Sequence, residues 1–470
     1  MDSNPTGDMK PDSDPYRPPS DTMSGASDST VGEQSGGKRT LGLFSATTIV
    51  AASMIGAGVY TTSGFTLGDL GHSGWVVLAW IVAGVIAICG AICYGALASE
   101  FTESGGEYLF LSRTLHPVAG LMAGWVSVLA GFTGAIAFAA TTFATYLLPE
   151  SSSMGNLVAV GLVAIAAGLH SIGARPGVRV QDAVVVLKVI LIAGFVVVAF
   201  LCDWPREPLV ESLYVVESGP LSFAITFATA LMWISLSYSG FNAAVYVAGE
   251  VQNPTRNVPR ALLFGTIGVT VIYVVLNTIF VYAPAGETIR GNPQVATAAA
   301  KAIGGEHFGT FVRVVILFGL FTSVSALVMT GPRVYAKMAD DGFLPAFFRF
   351  QGSVPVFAIW VQAIMAIVVI YFSTLKDLLG YLGFTLSVSA ALTAGTVFWL
   401  HRRESSDVRV PLFPIPPIIF VGGTLLTATL AAINTPKQAI AGLITIGFGM
   451  LFYPLYRMRI IGKTNLERPD

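Results

Sequence analysis

Ser53-Met54-Ile55-Gly56-Ala57-Gly58 and, far along the chain, Ser237-Tyr238-Ser239-Gly240 are the stretches whose reading decides the fold. Each run of small residues falls near the middle of an apolar stretch long enough to cross a bilayer, the first and the sixth of a series. A helix interrupted halfway across hydrocarbon frees backbone amides where its second half starts and carbonyls where its first half ends, and lipid satisfies neither. Something polar must bind there. Amides at a positive helix start suit a carboxylate and freed carbonyls suit an ammonium, so a paired interruption reads as a site for a zwitterion such as an amino acid.

The rest of the chain sets the same scene. Of 470 residues 54% are apolar and 11% charged, where soluble domains average about 25% charged. Roughly twelve apolar runs of about twenty residues recur, from Leu43–Leu67 to Ala439–Tyr456, without the polar faces that a soluble helical core needs. The expectation is an all-α membrane protein with 12 transmembrane helices, helices 1 and 6 broken. Residues 1–40 are rich in Ser, Asp, Gly and Pro and carry no apolar stretch, the composition of a disordered tail. They also lack the pattern of a cleaved signal peptide. The domain plan is therefore the tail, a ten-helix core over 41–400, two peripheral helices over 401–457 and a short tail over 458–470.

Charge orients the spans. With the amino terminus inside, the inner loops receive Arg113, Arg256, Arg260, Arg333, Lys337, Arg402 and Arg403 among others, while the outer side receives Arg206, Arg290, Lys301, Lys376 and Lys437. The positive-inside rule then places both termini in the cytoplasm of a multi-pass protein of the cell membrane, which requires an even number of spans. A net charge of −1 argues against nucleic acid as a partner. Cys89, Cys93 and Cys202 lie in apolar helices and read as packing residues. The histidines are scattered without metal-ligand spacing, and no nucleophile, base and orienting group recur at a recognisable spacing, so neither a metal, a cofactor nor an enzyme is expected.

Five helices separate the two interruptions, as two five-helix units of opposite topology would require. Ile55-Gly56-Ala57-Gly58-Val59-Tyr60, the loop Glu103-Ser104-Gly105-Gly106-Glu107-Tyr108, Tyr238-Ser239-Gly240-Phe241-Asn242, the run Glu250 to Pro259, whose Asn253-Pro254 and Pro259 are expected to end helix six, and the run Pro332 to Pro345 after the eighth span, Phe308–Val334, follow in order. Together, from about Leu41 to Tyr456, they resemble the amino acid-polyamine-organocation superfamily of permeases, in the pattern of bacterial sodium-independent or proton-coupled amino acid transporters. The resemblance implies the leucine-transporter fold, a 5+5 inverted repeat plus 2, working by alternating access. It implies that the substrate carboxylate meets amides of Ala57 and Gly58, with Val59 nearby, and the ammonium meets carbonyls of Met54, Leu236 and Ser239. The physics agrees, since backbone groups serve both ends and glycine lets a ligand approach the main chain closely; the plainer alternative is that Gly56 and Gly58 only permit close helix packing.

Lys188 stands inside the fifth span, where an unpaired ammonium costs about 2.5–3.5 kcal/mol. By resemblance it occupies the place where related transporters bind sodium, meeting carbonyls near Gly56 and a hydroxyl of Ser325, Ser323 or Thr322. It is either a fixed cation or a group that loads a proton; the plainer alternative is snorkelling to the interface beside Asp182. Asn242 stands where some arginine and polyamine exchangers carry an acid, which favours neutral substrates. Leu236 stands where many relatives carry an aromatic gate, leaving Tyr238, Phe241 and Trp233 as substitutes. At the inner end, Glu250 with Arg256, Arg260 or Arg333, and Asp340 or Asp341 with Arg333, are expected to form gate ion pairs. Residues 286–305 form an outer cap by resemblance.

The expected function is a secondary transporter of neutral L-amino acids, by exchange or proton symport, with amino acid, proton and lipid bilayer as partners. A cationic amino acid or polyamine carrier, or a non-transporting sensor of the same fold, is the alternative. An accessory subunit is neither implied nor excluded by the residues.

Overall fold

The computed structural model describes residues 39–148, 152–172, 178–202, 219–350, 354–403 and 409–454. The amino-terminal tail up to Lys38 and the tail over 458–470 lie outside the described residues, as do Arg206 and the side chain of Asp182. All regular structure among the described residues is helical, apart from isolated bridges such as the parallel one between Leu41 and Val251.

Among the described residues ten helices are long and apolar enough to cross a membrane, and two shorter apolar helices, Val356–Phe372 and Pro436–Phe452, join them. Such segments are helical because a helix satisfies every interior backbone group within itself. The first apolar run divides into α1 (Leu43–Met54) and α2 (Ala57–Leu70), with Ile55 and Gly56 outside both. Then come α3 (Ser73–Glu100), the short α4 (Gly106–Thr114), α5 (Pro117–Leu147), α6 (Ser152–Ser171) and α7 (Val178–Leu201). The sixth run is α8 (Gly219–Tyr238), which tightens into a 3₁₀ segment over Ser239–Glu250. α9 (Pro254–Tyr282), the one-turn α10 (Gly286–Ile289), α11 (Val295–Asp340), α12 (Val356–Phe372), α13 (Leu375–Leu400), α14 (Ile415–Asn434) and α15 (Pro436–Phe452) complete the chain.

Three departures from the sequence reading have physical causes. Pro259 was expected to help end the sixth helix; it lies inside α9 instead, with Pro254 at the first helical turn. Its ring fits against Gly95 of α3, where an added Cβ would stand 3.1 Å from the proline Cβ. The eighth span starts earlier than expected, because a lead-in helix from Val295 meets it at Gly304 and Gly305, both non-helical, the latter at φ 75°. Finally, the stretch after Gly105-Gly106 is helical rather than loop.

Close helix packing rests on small residues, the usual means where lipid supplies no hydrophobic drive between helices. A Cβ at Gly84 of α3 would meet the Thr270 methyl of α9 at 2.4 Å, and one at Gly265 would meet Val50 of α1 at 2.8 Å. α3, α9 and α1 thus sit backbone to backbone behind the first interruption.

Candidate functional site

The Ile55-Gly56 interruption of the first helix and the junction of α8 with its 3₁₀ segment face each other across a contact that only glycine permits. A Cβ on Gly240 would lie 2.4 Å from the Ser53 carbonyl carbon and 2.7 Å from the Met54 nitrogen; one on Gly58 would lie 2.3 Å from Ser237 Oγ. Gly56 differs, for its nearest neighbour would be the Met54 carbonyl at 3.8 Å. Two of the three glycines therefore serve helix contact, and the open flank is at Gly56. No side chain caps the start of α2 at Gly56, so the first amides of that helix have no side-chain acceptor.

Beside this contact lies a cavity of about 630 Å³. Met54, Gly56, Ala57 and Gly58 line it from the first helix, and Leu236, Tyr238, Ser239, Gly240, Phe241 and Asn242 from the sixth. Val59 is fully buried and does not line it, and neither does Trp233. Trp233 packs edge-on to Phe65 at 6.5 Å, with the Lys376 ammonium 4.8 Å from its ring centre. Of the expected gate substitutes, Tyr238 donates its hydroxyl to the Trp80 carbonyl at 3.1 Å, and Phe241 meets Tyr94 edge-on at 5.1 Å.

Carbonyls at the interruptions are partly taken. The Met54 carbonyl accepts from the Gly56 amide at 2.8 Å and from the Tyr273 hydroxyl, which also lies 3.2 Å from the Ser237 carbonyl. Both lone pairs of the Met54 oxygen are thereby used in this conformation, which the residue pattern alone did not reveal. Tyr273, fully buried on α9, thus staples helix one to helix six. Tyr273→Phe is expected to lower stability by about 1–2 kcal/mol, as a buried carbonyl loses its partner, and a thermal midpoint on purified protein reads it. The Leu236 carbonyl accepts from Ser239 Oγ at 2.8 Å.

Two carboxylates reach the cavity wall, those of Glu107 and Glu250. Gly106, at φ 59°, brings α4 so close to Tyr246 that a Cβ there would sit 2.3 Å from its ring, and this seats Glu107 inside the bundle at 6% exposure. Its Oε1 accepts from Tyr94 Oη at 2.7 Å and Asn242 Nδ2 at 2.9 Å, and its Oε2 from Ser389 Oγ at 2.7 Å. Burial pushes the Glu107 carboxyl upward, while the hydrogen bonds from Ser389, Tyr94 and Asn242 pull against that. The group ties α3, the 3₁₀ segment and α13 to α4. Sequence reasoning quoted Glu107 only as part of a motif; an acid straight after Gly105-Gly106 in a charge-poor chain was the signal available.

An amino acid permease family model matches residues 41–455. The chain belongs to that family. It is similar to the serine/threonine exchanger SteT of Bacillus subtilis (strain 168), 25% identical over 437 residues that cover 89% of this chain and 98% of the relative. The large neutral amino acids transporter small subunit 2 of Homo sapiens is 27% identical over 420 residues, covering 84% of this chain and 78% of the relative. The b(0,+)-type amino acid transporter 1 of Mus musculus is 25% identical over 443 residues, 89% of this chain and 88% of the relative.

In this permease the fifth-span lysine is buried at 8% exposure on α7. Lys188 Nζ lies 3.4 Å from Ser323 Oγ, and Ser323 lines the cavity. The other hydroxyl candidates point elsewhere: Ser325 meets His170 Nε2 at 2.8 Å, and Thr322 donates to the Gly319 carbonyl of its own helix at 2.9 Å. No hydrogen bond joins Lys188 to the carbonyls near Gly56 among the described residues, so the expected contact with helix one is corrected to a contact with α11 alone.

The permease's expected inner ion pairs are likewise not made in this conformation. Asp340 pairs with Arg349 at 3.4 Å, and Asp341 accepts from the Tyr108 hydroxyl at 2.8 Å. Among the described residues no ion pair joins Glu250 to Arg256, Arg260 or Arg333, while Glu250 and Arg333 both line the cavity. At the opposite end the Gly291 amide donates to the Gly64 carbonyl at 2.8 Å, and Gln294 Nε2 donates to the Thr145 carbonyl at 3.0 Å. The segment after α9 therefore lies directly on α2.

Proposed function

We propose that this permease is a secondary active transporter that exchanges neutral L-amino acids across the cell membrane by alternating access. The observation that carries the reading is the uncapped start of α2, where Ala57 and Gly58 open onto the cavity. Their amides, with Val59 completing the turn, take the substrate carboxylate at the positive end of the helix. Carbonyls of Leu236 and Ser239 take the ammonium, the Met54 oxygen being occupied by Tyr273. The long and short apolar helices together make twelve spans, with the first ten as a 5+5 inverted repeat. Lysine and arginine placement puts both termini in the cytoplasm, so the cavity opens inward past Glu250 and Arg333 while the segment over α2 closes the outside.

Charge selects the substrate class. Around the interruptions the side chains lining the cavity are uncharged, and Glu107 already accepts three hydrogen bonds. A cationic side chain would be desolvated there without a partner, at a cost of several kcal/mol on the order given for buried ions. The substrates for which two relatives are named, serine/threonine and large neutral amino acids, point to the same class.

Purified protein in proteoliposomes tests this. Vesicles preloaded with unlabelled threonine are expected to take up labelled threonine several-fold faster than empty ones, with or without sodium and with no need for a pH gradient. Buried Lys188, bonded to Ser323 on the cavity wall, favours the second reading of proton symport. Uptake into empty vesicles that is driven by an imposed pH gradient and lost in Lys188→Ala would establish that reading in place of exchange.

A further inference from the structure

Asn242 is an amide whose direction is fixed from behind. It sits on the 3₁₀ segment that continues helix six, lines the cavity, and gives its Nδ2 to Glu107 Oε1 at 2.9 Å. A carboxylate oxygen only accepts, so the amide cannot turn its own oxygen toward it. The orientation survives protonation of Glu107. A proton on Oε2, donated to Ser389, would leave Oε1 a carbonyl that still accepts from Tyr94 and Asn242. Asn242 Oδ1 is the other end of the same plane. It makes no hydrogen bond among the described residues, and it is not sealed from the cavity that Asn242 helps to line.

From this geometry we infer that Glu107 is a positioning residue for substrate selection: by holding Asn242 by its nitrogen, it makes the cavity wall present a hydrogen-bond acceptor, and the permease prefers neutral amino acids whose side chains can donate. Hydroxyl and amide side chains fit this requirement. A side chain of similar size that only accepts would set oxygen against oxygen and leave both unpaired, which disfavours it. The inference rests on the proposed transport of neutral amino acids and deepens it. Glu107 itself touches no substrate in this scheme; it works through Asn242, and Tyr94 and Ser389 hold its carboxylate in place from α3 and α13.

L-serine and O-methyl-L-serine separate donor from acceptor, since the ether oxygen has no proton to give. In proteoliposomes the wild-type KM for O-methyl-L-serine is expected to exceed that for L-serine by about tenfold, the worth of one hydrogen bond lost against a buried acceptor. Asn242→Ala removes the acceptor and sets the baseline that reflects only the extra methyl group. Glu107→Met removes the fixed partner, frees the amide to turn its nitrogen inward, and is expected to bring the ratio down to that baseline while L-valine uptake continues. Glu107→Gln keeps a carbonyl oxygen where Oε1 stands, with its nitrogen toward Ser389, and is expected to keep the wild-type ratio. If Glu107→Met does not reach the membrane, Glu107→Asp, whose carboxylate is withdrawn by one methylene, is expected to lower the ratio in the same direction.

A wild-type ratio equal to that of Asn242→Ala overturns the inference, as does a wild-type ratio in a membrane-inserted Glu107→Met. So does a loss in Glu107→Met that strikes L-serine, O-methyl-L-serine and L-valine alike, which marks a structural role only. Failure of the wild type to carry any neutral amino acid would instead overturn the proposed function.

Discussion

Gly58→Leu is expected to reduce amino acid exchange to the level of empty liposomes. The position has no room: even a single Cβ meets Ser237 Oγ at 2.3 Å, Ser237 Cβ at 3.1 Å and Ser237 Cα at 3.2 Å. A leucine must push helix six off helix one, and overpacking of this kind costs about 1–3 kcal/mol. The displaced surfaces are those that line the cavity, so the amides of α2 and the carbonyls of helix six lose their common spacing. Labelled threonine uptake and the thermal midpoint of the same preparation should fall together. Removing the obstacle should separate the two effects. Gly58→Ala combined with Ser237→Gly is expected to regain the midpoint, since only Ser237 Cα then remains close. Gly56→Ala serves as the contrast: its backbone, φ −128° and ψ −156°, suits any residue, and no neighbour comes within 3.8 Å. It should fold normally and raise KM, because the methyl group intrudes on the open flank. Exchange at the wild-type rate in Gly58→Leu would remove the basis for a site at this contact.

Gly64→Val is expected to be nearly as damaging, at the far end of the same helix. A Cβ there would fall 1.8 Å from the Asn292 carbonyl oxygen and 2.8 Å from its carbon. Those are backbone atoms, which cannot swing aside as a side chain does. The Gly64 carbonyl also accepts from the Gly291 amide at 2.8 Å, so the segment that covers α2 loses both its fit and its hydrogen bond. With the outer end unable to close, an alternating cycle stalls, and uptake is expected to fall by at least about tenfold, the effect of roughly 1.4 kcal/mol on one conformational equilibrium. A cysteine at Thr62, a position fully buried in this conformation, reads the cause. In a background lacking Cys89, Cys93 and Cys202, it should resist a membrane-impermeant thiol reagent added from outside, and react once Gly64 is valine. Protection that persists in the variant would show that the cap seats by other contacts.

Much of the architecture was legible because the bilayer leaves few choices. A chain with 54% apolar residues in runs of about twenty has to form helices, and Ser53 to Gly58 announces where the first of them stops. The second signal was read correctly in place but less well in kind. Ser237 to Gly240 promised an unwound stretch, and the structure has a tightening from α-helix to 3₁₀ at Ser239 instead. Pro259 misled for a related reason: a proline near a helix start is tolerated where a small partner accepts its ring, and Gly95, remote in sequence, is that partner.

Site residues divide along the same line. Backbone roles could be proposed from sequence, because an interrupted helix offers its amides whatever its side chains are, but the Met54 carbonyl already has two donors in the structure. Side-chain roles could not be assigned that way. Lys188 looked destined for carbonyls near Gly56, yet Tyr273 had already claimed the Met54 oxygen from across the bundle, and the lysine turns to Ser323. Asn242 read as the absence of an acid; the acid stands behind it, delivered by Glu107 from a different helix.

By itself, then, the order of residues determined that this chain enters a membrane, which stretches form its apolar helices, and that its first helix breaks at mid-length, since each follows from local apolarity and backbone chemistry. Only the tertiary structure decided which glycines serve contact and which leave space, whose hydroxyl fills which carbonyl, and which way the Asn242 amide faces. Those are pairings between residues tens to hundreds of positions apart, and a hydrogen bond is specified by the meeting of two groups in space, which no local pattern encodes.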